Sequence, residues 1–179
     1  PQEHEFLNLV KGILTQVPTR PAYYPGAQDR FERFIESTPS GERFGDPQDH
    51  HLPWGFATHL DPQDTNHICF TQEAFCGFFS HTSIEAADAG DFLDQAVDFA
   101  NTHLWGTLSA CVIIDPRTEK AFSKKLDQAL TDLKYGSICI NHWSAISYGL
   151  GATTWGAYPG HHPQDIQSGI GVVHNSYFF

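Results

Sequence analysis

The side chains able to act as nucleophile, base or ligand are few enough to take one by one. Four cysteines stand at Cys69, Cys76, Cys111 and Cys139. No two form a C-x-x-C pair, so neither a redox dithiol nor a zinc knuckle is indicated, and they read as reduced thiols packed like small hydrophobes. Cys76 is also a candidate nucleophile for a cysteine hydrolase, with His81 as its base. Histidines double at His50-His51 and His161-His162, each pair beside prolines and acids. Neighbouring imidazoles can chelate, but no H-E-x-x-H helix or Cys/His framework accompanies them, so they read as solvated loop residues and no metal is expected. A serine nucleophile lacks its G-x-S-x-G elbow. Gly149-Leu150-Gly151 opens like a dinucleotide fingerprint, yet Thr154 occupies the third glycine position and no strand–turn–helix surrounds it. Glu73 precedes a strand-like segment and by itself is an ordinary surface acid. Asn141 closes a short apolar run, either as a ligand group at the carboxyl edge of an open α/β sheet or as an amide capping a loop.

These residues must be held by a scaffold, and the stretch Phe92–Asn141 organises it. Phe92, Leu93, Ala96, Val97, Ala100 and Leu104 recur at helical spacing, and Gly106 stops that helix. Leu108 to Ile114 is a β-branched apolar run that suits a strand buried on both faces. Asp115-Pro116 reads as N-cap and first residue of a further helix, which carries Phe122, Leu126, Ala129, Leu130 and Leu133 on one stripe and stops at Gly136. Ser137 to Asn141 is a second short strand, and a strand–helix–strand crossover of this size implies parallel neighbours. The expected class is α/β, with a mixed, largely parallel sheet flanked by helices.

Upstream, His4–Val17 is read as a helix with Phe6, Leu9, Val10, Ile13, Leu14 and Val17 on one face, ended by Pro18. A second helix runs from about Ala27 to Ser37, after the rigid connector Pro21–Gly26. Thr38–Pro53, dense in Pro, Gly, Asp and His, reads as a surface loop. Trp54–Leu60 reads as a strand, and Ile68–Phe70 and Phe75–His81 as short extended segments. His142–Gly171 is loop-like, its glycines interleaved with Trp143, Tyr148, Trp155 and Tyr158, and Val172–Phe179 is strand-like.

Four blocks in order carry a family resemblance. Glu73-Ala74-Phe75 resembles the "E-x-F-G-P" motif of the aldehyde dehydrogenase superfamily. Phe99-Ala100-Asn101 with Leu104-Trp105-Gly106-Thr107-Leu108-Ser109-Ala110 resembles its "A-N…Y-G-L-x-A" block. Tyr135 to Asn141 is similar to the strand "a-G-x-v-x-v-N", and Thr154-Trp155-Gly156-Ala157-Tyr158 falls where the family has "P-F-G-G-x-K". The sequence departs from the pattern at Cys76 and Gly77, which replace glycine and proline, and at Thr154 and Pro159, which replace proline and lysine.

The resemblance implies the C-terminal part of a catalytic domain, residues 1–179 forming one portion that lacks the N-terminal nucleotide-binding lobe. It implies NAD(P)-dependent oxidation of a small aldehyde to a carboxylic acid through a cysteine thiohemiacetal and thioester, with NAD or NADP as cofactor. The nucleophile and its base would lie upstream of Pro1, so this chain alone is expected to be inactive. By the same implication Glu73 takes the two ribose hydroxyls and Phe75 flanks the nicotinamide, while Trp155 and Asn141 face the substrate. For Trp155 plain packing is the alternative. A non-catalytic dehydrogenase-like module or interaction subunit is a second reading of the whole.

Length, charge and ends agree with this frame. A chain of 179 residues makes one sizeable domain. Ten basic against twenty-one acidic residues, a net charge of −11, argue against nucleic acid and anionic membranes as partners. No apolar run approaches a membrane span, and a cytoplasmic location is expected. The chain begins at Pro1, lacks methionine and ends on Phe178-Phe179, so a piece of a longer protein is expected. Apolar surface left by the missing lobe, and the free edge of the last strand, predict a homo-oligomer.

Overall fold

Helices and short strands alternate along the chain because apolar residues alternate between helical and strand-like spacing, and each change of period falls at Pro, Gly or an Asx cap. The computed structural model describes residues 2–48, 50–165 and 170–172. It divides into two compact units, Pro1–Ser83 and Ile84–Phe179, each described here by itself.

In the first unit, α1 (Gln2–Leu14) is followed by β1 (Arg20–Pro21), α2 (Ala27–Glu36), β2 (Gly41–Phe44), β3 (His51–Leu52), β4 (Trp54–Leu60), the single turn α3 (Ile68–Thr71) and β5 (Phe78–Thr82). β4 is central: β2 runs antiparallel on one side and β5 parallel on the other. β1 and β3 form a separate antiparallel ribbon. Two apolar clusters hold the sheet. α2 buries Phe31, Phe34 and Ile35, spaced to lie on one helix face, with the rings of Phe31 and Phe34 set 6.4 and 5.3 Å from that of Phe78. Leu7 and Leu14 of α1 pack on Phe56, flanked by Val10, Phe44 and Trp54.

The stripe expected on α1 is rotated: Phe6, Leu9 and Ile13 face outward, 53%, 62% and 58% exposed, while Leu7 and Leu14 point in. The apolar arc covers nearly half of the helix surface and is wider than the edge that packs, so spacing alone does not select the buried edge. The segment Thr38–Pro53 is not wholly a loop, since it contains β2 and β3. β2 is an edge strand whose Glu42 and Arg43 face water, so its pairing comes from the backbone ladder and leaves no apolar alternation to read. Ile68–Phe70 is helical, not extended. His67 caps it, its ring Nδ1 accepting from the Cys69 N–H at 3.2 Å.

In the second unit, α4 (Ala89–His103) is followed by β6 (Ser109–Val112), α5 (Pro116–Ala121), α6 (Ser123–Asp132), β7 (Ser137–Ile140), the turn α7 (Ile146–Gly149), β8 (Thr154–Gly156) and β9 (Ile170–Val172). β6 and β7 are parallel, with Ser109 opposite Ser137 and Val112 opposite Ile140, as the crossover requires. β8 and β9 pair antiparallel, and the remainder of the strand-like C-terminal run lies outside the described residues. Asp115 caps α5 by accepting from the N–H groups of Arg117 and Thr118, with Pro116 at the first helical position. The single helix expected here is two, broken at Phe122 (φ −116°, ψ 26°). Leu93, Leu126 and Ala129 form the core between α4 and α6, with Val97, Val112, Ile114 and Leu130 against it. β6 is covered on that face only. Cys111 within β6 is exposed and Ile113, just past its end, is 77% exposed, so the run Leu108–Ile114 is not buried on both faces as its composition suggested. Among the described residues no helix is long and apolar enough to cross a membrane.

Candidate functional site

Glu73 and Phe75 lie on one wall of an open cleft of about 420 Å³ in the first unit. The ribbon of β1 and β3, Tyr24, Trp54 and Cys76 complete the lining. Arg30 fixes the Glu73 wall. From α2 its Nε donates to the Ala74 carbonyl at 3.0 Å and its Nη2 to the Phe75 carbonyl at 3.3 Å, while Nη1 donates to the Pro25 carbonyl at 2.8 Å. One planar guanidinium therefore ties the connector before α2 to the segment that carries both candidate residues. Phe75 sits at φ 49°, the left-handed region that a phenylalanine seldom adopts, and the Arg30 bonds hold its carbonyl there.

The Phe75 ring, 47% exposed, meets Tyr24 edge-on at 4.6 Å, and Tyr24 lies 4.5 Å from Tyr23. The Tyr24 hydroxyl is held above the ordinary phenol range, first by its hydrogen bond with Tyr23 and less by the nearby Glu73 charge. It is accordingly a neutral donor. The cleft thus offers an exposed carboxylate beside exposed aromatic faces, a set that accepts from vicinal hydroxyls and flanks a flat ring.

Cys76 borders the same cleft, but burial pushes its thiol up, outweighing the favourable charge of Arg30. His81 is engaged elsewhere: its Nε2 faces the Glu3 carboxylate at 3.3 Å and its Nδ1 accepts the His59 N–H at 3.4 Å. Neither half of a Cys76–His81 pair is set for thiolate attack. None of the four thiols packs in the core. Cys111 is exposed, the other three are half-buried, and burial pushes Cys69 up to about 11.

In the second unit, Asn141 stands just past β7 with φ 53°. Its Oδ1 accepts the Ile114 N–H at 2.9 Å and its Nδ2 donates to the Ile114 carbonyl at 3.0 Å. Both ends of the amide tie the exits of β6 and β7 together, so the capping reading is the one this geometry supports. Trp155, half-buried on β8, meets Tyr148 edge-on at 5.7 Å. The half-glycine fingerprint at Gly149–Gly151 closes the turn α7 and so follows a helical turn directly, not a strand. His161 and His162 lie on a cleft of about 260 Å³ with Asn101 and Lys134.

No family model and no curated protein matches the sequence. Solved structures match by fold. A 1-pyrroline-5-carboxylate dehydrogenase from Thermus, with NAD bound, superposes with a TM-score of 0.52 at 15% identity, over 69% of this chain and 22% of that one. A methylmalonate-semialdehyde dehydrogenase from Oceanimonas doudoroffii gives 0.52 at 14% identity, over 77% of this chain and 29% of that one. The fold is a partial aldehyde dehydrogenase fold. The chain spans between 22% and 29% of the length of those two enzymes.

Within this dehydrogenase fold, Arg30 and Tyr24 are the site residues that sequence reasoning missed. Tyr24 carried a signal, an aromatic pair inside a proline-bounded connector. Arg30 carried none, because Ala74 and Phe75, whose carbonyls it holds, lie 44 and 45 residues away. Replacing Arg30 by Met keeps the aliphatic stem but leaves three carbonyls without their donor. Unfolding free energy should fall by about 1–3 kcal/mol, measured by urea titration, and Phe75 should lose its fixed position. A loss within about 0.3 kcal/mol would show that water replaces the guanidinium at no cost.

Proposed function

We propose that the whole protein is an NAD(P)-dependent aldehyde dehydrogenase that oxidises a small aldehyde to a carboxylic acid. Residues 1–179 are the C-terminal portion of its catalytic domain. The observation that carries this reading is the Glu73–Phe75 wall of an open cleft, fixed by Arg30 within a partial aldehyde dehydrogenase fold. The residues present suit a dinucleotide's nicotinamide half: the Glu73 carboxylate accepts from two adjacent ribose hydroxyls, and the Phe75 ring flanks the flat base. The bound cofactor supplies hydride acceptance, and this chain supplies its orientation. Trp155 is assigned to the aldehyde side, where it limits the width of the substrate. The thiol that attacks the aldehyde lies outside this chain, consistent with the raised Cys76 thiol. Four free cysteines support a reducing, cytoplasmic setting. The outward face of α1, with Phe6, Leu9 and Ile13, supports assembly with further copies.

The test is Glu73→Gln in the full-length parent. Glutamine keeps the size and one acceptor but loses the charge and the paired geometry. The loss of transition-state stabilisation should be about 1–3 kcal/mol, roughly 5- to 150-fold in kcat/KM for the cofactor. Part of it should fall on kcat, since a loosely held ribose lets the nicotinamide leave its position. The melting temperature without cofactor should hold, because Glu73 is exposed. Wild-type cofactor kinetics in the variant would reduce Glu73 to a surface acid. NADH production by residues 1–179 alone would overturn the assignment of the nucleophile.

A further inference from the structure

The geometry points to a second site in the first unit, independent of the dehydrogenase reading: a site for a divalent first-row transition-metal ion, formed by Glu3, His59 and His81. The three side chains come from three elements, the first turn of α1 and the strands β4 and β5. They offer a carboxylate oxygen and two imidazole nitrogens that all lie within 4.8 Å of one another. Glu3 Oε1 is 3.3 Å from His81 Nε2 and 3.7 Å from His59 Nδ1. An ion bonded at about 2.0–2.1 Å in a tetrahedral site needs ligand atoms roughly 3.3–3.4 Å apart. One edge already has that length, and modest side-chain rotation brings in the others.

A backbone irregularity creates the cluster. The register of β4 on β5 passes from Ala57 opposite Ser80 to Leu60 opposite Thr82, so β4 carries one residue more than its partner. His59 lies in this bulge at φ 56°, a left-handed setting that histidine adopts infrequently. Without the bulge, strand alternation would set the side chains of this stretch in a different register against β5. Bulges that re-aim a side chain recur beside functional sites. His59 meets His81 with the two rings 5.5 Å apart and nearly perpendicular, at 88°. Glu3 is held in turn by the Ser83 hydroxyl, which donates to its Oε1, the outer contact that ligating carboxylates commonly have. His81 is the shielded ligand and His59 the exposed one, with side chains 18% and 65% exposed. In the metal-free tautomer, His81 Nδ1 accepts the His59 N–H at 3.4 Å. Binding through Nε2 moves that ring hydrogen to Nδ1 and gives up a contact already near the limit of hydrogen bonding.

Two nitrogens and one oxygen favour zinc, cobalt, nickel or copper over magnesium and calcium, which prefer oxygen ligands. Three protein ligands leave a fourth position open to water. The ion would cross-link the first turn of α1 to β4 and β5, so binding should stabilise the first unit by mass action.

The experiment uses the full chain, stripped with chelator and titrated with zinc chloride, cobalt chloride or magnesium chloride under calorimetry and thermal melting. Zinc should bind at one equivalent and raise the melting temperature, and magnesium should do neither. Cobalt should give the visible bands of a four-coordinate nitrogen–oxygen site. Glu3→Gln and the double variant His59→Asn, His81→Asn should each weaken zinc at least tenfold, and Ser83→Ala about tenfold. Glu3 is exposed, so its variant keeps the test valid if the double variant folds poorly. Replacing His50 and His51, or His161 and His162, by Asn should leave affinity unchanged. The proposal is overturned by no zinc-dependent shift, by unchanged affinity in Glu3→Gln, or by a sulfur-to-cobalt charge-transfer band.

Discussion

Gly136→Ala is expected to cost the second unit on the order of 3 kcal/mol or more, a large share of the ~5–15 kcal/mol that stabilises a typical domain. An ideal Cβ at this position would stand 1.8 Å from the Gly156 carbonyl oxygen and 2.9 Å from the carbonyl carbons of Gly156 and Ala157. Those neighbours are backbone, so no rotamer change relieves the contact and β8 must move away from the start of β7. Moving it also strains the Thr107 carbonyl, which accepts the N–H of Gly136 at 2.8 Å and that of Tyr158 at 3.0 Å. The glycine is needed here for close approach, not for an unusual backbone angle. Gly149→Ala is the matched control: nothing lies within 4 Å of its Cβ, and stability should change by no more than about 0.5 kcal/mol. Urea titration followed by circular dichroism measures both. A Gly136→Ala protein within about 1 kcal/mol of the parent would mean that β8 does not pass over β7 as described.

Phe31→Ala should destabilise the first unit by about 3–5 kcal/mol. The ring is fully buried, with 0% exposure, and is enclosed by elements that cannot follow it inward. Phe78 meets it edge-on, the Arg43 guanidinium lies 5.7 Å from its centroid, and the Gly55 backbone comes so close that a Cβ there would be 2.9 Å from its edge. β4 is pinned on both sides by β2 and β5, so the cavity stays largely open and the cost falls in the upper part of the range for such truncations. Phe31→Leu should cost less, about 1–1.5 kcal/mol, because most of the volume remains. Thermal and urea unfolding of the two variants separate cavity formation from loss of aromatic contact. A cost below about 1.5 kcal/mol for Phe31→Ala would show that α2 settles onto the sheet when the ring is removed.

Much of the framework is local and was legible before any coordinates. Asp115-Pro116 states a helix start in two residues, and the structure places both in those roles. The order strand–helix–strand from Ser109 to Ile140 forces parallel pairing, and β6 and β7 pair so. Trp54–Leu60 is a strand with the bounds that its composition gives. Glu73 and Phe75, which by resemblance to the "E-x-F-G-P" motif were read as cofactor contacts, both line the cleft. Each of these signals acts within a few residues, over the reach of a cap, a turn or a strand period.

The tertiary structure decided what depends on partners distant in sequence. The partner that engages both ends of the Asn141 amide is Ile114, 27 residues away, through its N–H and its carbonyl. The inward edge of α1 was chosen by Phe56, since the apolar arc of the helix is wider than the edge that packs. β2 exists because β4 presents an unpaired edge to it, not because its polar residues favour extension. The environment of Cys76, the grip of Arg30 and the meeting of Glu3, His59 and His81 likewise arise from chain crossings. Sequence by itself determined the longer helices, the central strands and the chemical inventory of this protein. Folding determined which of those groups meet, because hydrogen bonds and ring contacts form by distance in space and carry no mark at either residue alone.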